Sequence, residues 1–291
     1  PRLYDDVFEE HLARHRQMLF VTGPRQVGKT TSCRRLGTLY LDWDNQDDRR
    51  LILQGPSSVA SRAGLDRLTP RPVVIVFDEM HKHRKWKGFL KGFFDTYGDR
   101  TRCLVTGSSR LDVYRRGGDS LAGRYLTYRL HPFSVAEVAR TDAPNKPIRP
   151  PKVISETQFA ALWEHGGYPE PFVKRDRRFT RRWQRLRTEQ LLREDIRDLT
   201  RIQELGQLEV FATLLAEHSG SPLVLANLAQ EVGVSVDTSR RWVEALRGLH
   251  VGFLVRPWFK NVAKSLRKEP KWYLRDWSVC SDRGVRAETF V

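Results

Sequence analysis

The chain has 291 residues, 40% of them hydrophobic, enough to bury one large core or two ordinary ones, which excludes a disordered chain. No run of about 18 apolar residues occurs and the start, Pro1-Arg2 followed by Asp5 and Asp6, does not read as a secretory leader, so a cytoplasmic protein is expected. Lysine and arginine number 51 against 35 acids, for a net charge of +16 and an isoelectric point near 10.1, which predicts a polyanionic partner unless the excess is simply a basic surface.

From Gln17 to Leu130, apolar runs rich in β-formers alternate with helical patterns, as in a parallel sheet flanked by helices. Strands are predicted over residues 18–22, 39–42, 73–77, 103–106 and 125–130, and helices over 29–36, 57–68 and 86–97. A doubly wound α/β class follows. Around residues 141–152 the prolines Pro144, Pro147, Pro150 and Pro151 disfavour both helix and strand, and a boundary is placed there. Beyond it the pattern turns helical: 156–165, a Gly-Gly-Tyr-Pro turn from Gly166 to Pro169, a long basic helix over 177–199, then 206–218, 225–231 and 236–249. Cys33, Cys103 and Cys280 are too scattered for zinc-ligand spacing, and neither zinc nor a disulfide is expected.

The segment Gly23-Pro24-Arg25-Gln26-Val27-Gly28-Lys29-Thr30 has the form GxxxxGK[ST], placed after a strand and at the start of a helix. Its glycines let successive backbone N–H groups turn inward, and together with Thr31 the stretch forms a cradle for the polyphosphate of ATP. Lys29 is expected on the β- and γ-phosphates and the Thr30 hydroxyl on Mg²⁺. The strand over 73–77 ends in Asp78-Glu79, two carboxylates at the sheet edge that would be costly without a cation. Asp78 is assigned to the metal through its water shell, and Glu79 to the attacking water. The strand over 103–106 ends in Gly107-Ser108-Ser109-Arg110; Ser108 is the chosen sensor of the γ-phosphate, with Ser109 close behind and a simple turn cap still open. Arg124, in a glycine turn before a strand, is either a guanidinium for transition-state charge or one more solvated arginine.

Between Lys174 and Arg187, eight of fourteen residues are basic, and helical spacing aligns Arg178, Arg181, Arg182 and Arg185 as a stripe able to follow a phosphate backbone. Phe179, Trp183 and Leu186 fall between them and are expected to face inward. A solvated face or a subunit interface is the alternative. Residues 225–246 read as a helix-turn-helix with Ser235 as N-cap and Arg240, Arg241 and Arg247 on the second helix, followed by a wing-like strand at 252–255. In a DNA reader Ser235, Asp237, Thr238 and Arg241 face a groove; the same module also serves in protein docking.

As an ordered set, Gly-Pro-Arg-Gln-Val-Gly-Lys-Thr-Thr at 23–31, Tyr-Leu-Asp at 40–42, Phe-Asp-Glu-Met-His-Lys at 77–82, Thr-Gly-Ser-Ser at 106–109, Leu-Ala-Gly-Arg at 121–124 and Pro-Phe-Ser at 132–134 resemble the bacterial and archaeal AAA-type (AAA+) P-loop ATPases that carry a C-terminal domain of unknown function. The resemblance implies an AAA+ ATPase domain over 1–145, a helical region with the basic helix over 146–205 and a winged-helix domain over 206–275. It implies that Arg124 is an arginine finger completing a neighbour's site, and hence a homo-oligomer, at least a dimer, with a hexameric ring as its fuller form. Members often end in a nuclease-like domain whose first strand 271–277 resembles, so 276–291 is read as the start of a further domain, with no nuclease chemistry carried over. Two functions are weighed: an ATP-hydrolysing motor on DNA, a helicase or translocase acting on duplex or branched substrates, and a nucleotide-dependent switch that signals through protein partners.

Overall fold

The computed structural model describes residues 2–67, 71–107, 121–140, 142, 149–196, 204–260 and 268–291, leaving aside the side chains of 194 and 195. Ser108, Ser109, Arg110 and most of the proline-rich boundary lie outside them. The chain divides into two units, Pro1–Val153 and Ile154–Val291.

In the first unit the apolar runs become strands β1 (Met18–Thr22), β2 (Leu39–Asp42), β3 (Val73–Asp78), β4 (Thr101–Thr106) and β5 (Tyr125–Arg129). All pairings are parallel, in the order β2-β3-β4-β1-β5. β1 is buried at every position, as a strand covered on both faces must be. The register sets Asp42 against Asp78 and Val21 against Thr106, so the carboxyl ends of the central strands share one edge. Behind that edge, Phe77 packs edge-on against Phe89 and Phe93 of the amphipathic helix Trp86–Tyr97, with ring centroids 5.7 and 5.6 Å away.

Helix α1 (Leu3–Arg14) precedes the sheet; α2 (Lys29–Arg34) follows β1, α3 (Gln46–Leu53) and α4 (Pro56–Arg62) follow β2, α5 (Trp86–Tyr97) follows β3 and α6 (Val135–Ala139) follows β5. α1, α3 and α6 were not among the predicted elements. The predicted helix over 57–68 is shorter, because Gly64 takes a left-handed φ of 70° and the Leu65 amide closes back on Ala60.

The second unit contains α7 (Glu156–His165), α8 (Pro169–Lys174), α9 (Arg177–Gln190), α10 (Leu205–Glu217), α11 (Leu225–Val232) and α12 (Val236–Gly248), then an antiparallel pair β6 (Gly252–Val255) and β7 (Lys271–Leu274), and α13 (Arg283–Phe290). Asp176 caps α9 by accepting the Phe179 amide at 2.6 Å. The predicted basic helix over 177–199 keeps α-helical form to Gln190 and then widens into a π-turn over Leu191–Asp195. Trp183 is buried as expected, but Leu186 is 45% exposed.

α11 and α12 meet at Gly233, whose φ of 72° ends the first helix, and Ser235 caps the second by accepting the Thr238 amide at 3.1 Å. Two expectations for the chain's last segment are corrected. Residues 271–274 pair with β6 as the second strand of a hairpin instead of opening a new sheet. Residues 276–291 belong to the same unit as α7, because the Trp277 indole donates to the Leu162 carbonyl at 2.8 Å and Phe290 packs on Trp277 and Phe159.

Candidate nucleotide site

The loop between β1 and α2 is shaped by backbone that side chains would obstruct. Gly23 has a φ of 139°, and a Cβ there would lie 2.2 Å from the Leu130 carbonyl oxygen; Gly28 enters the helix at a φ of 97°. Gln26, at a φ of 60°, holds a left-handed conformation without being glycine, a local strain of the kind stored at functional loops. Arg2 fastens the loop from outside: its guanidinium donates to the Val27 carbonyl at 2.8 Å and to the His131 carbonyl at 2.7 Å, and pairs with buried Glu137 at 2.5 Å. The Pro-Phe-Ser motif completes this anchor, since Phe133 lies under the Arg2 guanidinium and Ser134 caps the helix that carries Glu137.

Lys29 is 7% exposed, and its ammonium donates to the Gly23 and Pro24 carbonyls at 3.1 and 2.8 Å. Burial pushes its pKa down from 10.5 to about 8, against the opposing pull of Glu79 and Asp78. The side chain therefore closes the loop on itself, in the place where a phosphate's oxygens would replace those carbonyls.

Asp78, 3% exposed, collects donors from three elements. Thr30 donates to Oδ2 at 2.9 Å and Tyr40 of β2 to the same oxygen at 2.5 Å, while Thr106 of β4 and the Glu79 amide donate to Oδ1. Burial, with the Asp78 hydrogen bond next, drives the Tyr40 phenol well above its ordinary pKa, so it stays a donor. A Thr30 hydroxyl that gives its proton to Asp78 keeps its lone pairs for a hard cation. That pairing fits Mg²⁺, which takes one or two protein oxygens and completes its shell with water and phosphate. Among the described residues no cluster of three His, Cys, Asp or Glu forms an all-protein metal cage.

Glu79 follows at a φ of 52°, a left-handed conformation that a carboxylate residue holds only under constraint. Its carboxylate lies 3.3 Å from the Lys82 ammonium, which also contacts Asp44 at 2.5 Å, and 3.8 Å from the His81 ring. Burial alone would lower the Lys82 pKa; the bonds to Asp44 and the pull of Glu79 outweigh it and raise the value.

Thr30, Lys29, Asp78 and Glu79 are thus brought to one sheet edge. Arg124 is not: it precedes β5, whose first residue registers with Met18 at the start of β1, while the phosphate loop follows the far end. That strand spans roughly 13 Å, and the guanidinium is forked onto Asp95 of α5 at 2.7 and 3.1 Å. Sequence reasoning missed Arg2, Tyr40 and Thr106 as parts of the site. A threonine ending β4 beside the Asp78 strand was a readable signal for Thr106; an arginine 135 positions from its carboxylate was not.

Residues 15–139 match the family model of an AAA domain, and residues 156–285 match that of a domain of unknown function (DUF8612). The chain carries an AAA domain followed by a C-terminal domain of unknown function. Uncharacterized proteins of Mycobacterium bovis and Mycobacterium tuberculosis are each 28% identical to this chain over 269 residues, covering 91% of the chain and 55% of the relative. The chain thus spans about half the length of the curated relatives it matches. Among solved structures, the ORC1 protein of Aeropyrum pernix in complex with DNA overlays with a TM-score of 0.36 at 12% identity, covering 98% of this chain and 89% of that one. AMPPCP-bound DnaA of Aquifex aeolicus overlays with a TM-score of 0.39 at 11% identity, covering 83% and 86%.

In the domain of unknown function, Arg178, Arg181, Arg182 and Arg185 are exposed along α9. Only Arg185 has an acidic neighbour among the described residues, Glu189 at 3.8 Å. On α12, by contrast, Arg240 is neutralised by Asp237 at 2.6 Å and Arg247 by Glu244 at 2.5 Å, while Arg241 contacts the Thr238 hydroxyl. Among the described residues no helix is long and apolar enough to cross a membrane.

Proposed function

We propose that the AAA domain binds and hydrolyses ATP with Mg²⁺ and drives an oligomeric motor on DNA, a helicase or translocase. The observation that carries the ATPase half is the meeting of a buried Lys29, a Thr30 hydroxyl bonded to Asp78, and a constrained Glu79 at the carboxyl edge of one sheet. In this reading the loop amides and Lys29 grip the phosphates, releasing the Gly23 and Pro24 carbonyls. Thr30 and, through water, Asp78 hold the metal, which when bound neutralises charge developing on the phosphates. Glu79 orients a water and takes its proton. Tyr40 and Thr106 hold the Asp78 carboxylate in place through their hydrogen bonds.

Arg124 cannot serve its own chain's nucleotide across the length of the sheet, which supports the reading that it reaches a neighbour's site in an oligomer. The unneutralised arginines of α9 support a phosphate-backbone contact, and the α11–α12 pair with the β6–β7 hairpin supports a winged-helix reading of that module, with α12 at a groove. One observation favours the second reading, a slow nucleotide switch working through protein partners: Lys82, itself paired with Asp44, holds the Glu79 carboxylate. ATP turnover with duplex, single-stranded and branched DNA at two salt concentrations separates them. Stimulation that fades with salt supports the motor; a rate indifferent to every nucleic acid refutes it and leaves the switch.

A further inference from the structure

The second unit holds a polar cavity of about 400 Å³ between α9 and the segment running from Ser278 into α13. Arg177, Arg181 and Gln184 line it from α9, at the i, i+4, i+7 spacing of one helix face. Arg178, Arg182 and Arg185 repeat that spacing one residue on, about 100° around the helix. α9 therefore presents two neighbouring cationic stripes, one along the open surface and one into the cavity.

The opposite wall is prepared for an anion. Arg286 donates through Nε and Nη2 to the Cys280 carbonyl at 3.0 and 2.7 Å and through Nη2 to the Ser278 carbonyl at 3.4 Å. Those acceptors are neutral, and the carboxylate that acts on Arg286, Asp276, is buried and does not line the cavity, so the guanidinium is fixed in place as a cation on the cavity wall. Gln184 donates to the Ser278 hydroxyl at 2.8 Å, tying the two walls together. Arg181 has no ion-pair partner among the described residues, and Arg177 is paired with Glu164 at 2.8 Å. Three guanidiniums against one carboxylate leave two positive charges on one concave surface. The planar fork of arginine matches phosphate oxygens, and a cavity of this size admits one phosphate with its sugar but not a duplex.

We infer that this cavity is a phosphate-binding site that seats one phosphodiester of a nucleic-acid strand whose neighbouring phosphates run along the Arg178 stripe. The inference rests on the DNA reading above and adds to it a defined point of contact.

The test uses the full chain and labelled single-stranded and duplex DNA over a range of chloride concentrations, with Arg181→Gln and Arg286→Lys for the cavity and Arg178→Gln for the open stripe. Arg181 bonds nothing among the described residues, so its replacement spares the fold, which a thermal melt verifies. Arg181→Gln is expected to weaken binding about three- to tenfold whatever the base sequence and to lower the salt slope by about one, whereas Arg286→Lys, which keeps the charge and loses the fork, weakens binding by a similar factor with the slope retained. Inorganic phosphate, at matched ionic strength, should compete with DNA on the wild type and lose that advantage over chloride on Arg181→Gln. Unchanged affinity and slope in both cavity variants, with a loss in Arg178→Gln, overturn the cavity site and leave the DNA reading intact. A wild type that takes up phosphate but binds no DNA overturns both.

Discussion

The buried Lys29 should make nucleotide binding a proton-linked event. Its pKa is about 8 with the ammonium closed on its own loop, so at pH 8 about half the molecules carry a neutral lysine. A polyphosphate requires the charged form. Binding should therefore take up about half a proton at pH 8, close to none at pH 7 and nearly a full one at pH 9. The sign follows from the free protein holding fewer protons than the complex: affinity falls as pH rises through 8, by about tenfold between pH 7 and pH 9, or roughly 1.4 kcal/mol. Calorimetry with a non-hydrolysable ATP analogue and Mg²⁺, in two buffers of different ionisation heat at each pH, reads the uptake directly. Arginine stays charged, so any binding retained by Lys29→Arg should proceed without uptake. Equal heats in both buffers at pH 8, or the same uptake in the arginine variant, would refute the assignment.

Gly23→Ala should abolish nucleotide binding while leaving the far-UV spectrum unchanged, because the new methyl would press on the Leu130 carbonyl from 2.2 Å and shift the loop. Glu137→Ala strands the Arg2 guanidinium in a buried setting, and urea unfolding should show a loss of about 3–5 kcal/mol together with weakened nucleotide binding. Tyr40→Phe removes one charged hydrogen bond from Asp78 and should cost roughly 1.5–3 kcal/mol in the same assay, with nucleotide affinity nearly retained.

The sheet was legible because its central strands are largely buried and so read as unbroken apolar runs, as Val73 to Phe77 shows. The phosphate loop and Asp78-Glu79 were legible because their chemistry is written in adjacent residues. α3 escaped because its first turn, Gln46 to Arg49, is entirely polar and its start is set by Asn45, which accepts the Asp47 and Asp48 amides. The Arg2–Glu137 anchor and the Tyr40 and Thr106 bonds to Asp78 join residues that only the strand order brings together. Arg124 was readable as a turn arginine, but its place at the edge away from the phosphate loop follows from the register of β5 on β1.

Phosphate release from Mg²⁺-ATP by the intact chain and by Glu79→Gln is the most direct test of the site. Turnover in the wild type, a loss of about 10²–10⁴-fold in the variant and preserved ATP binding by calorimetry are the expected results. A variant that hydrolyses ATP as fast as the wild type, or a wild type that binds no ATP at all, would contradict the assignment.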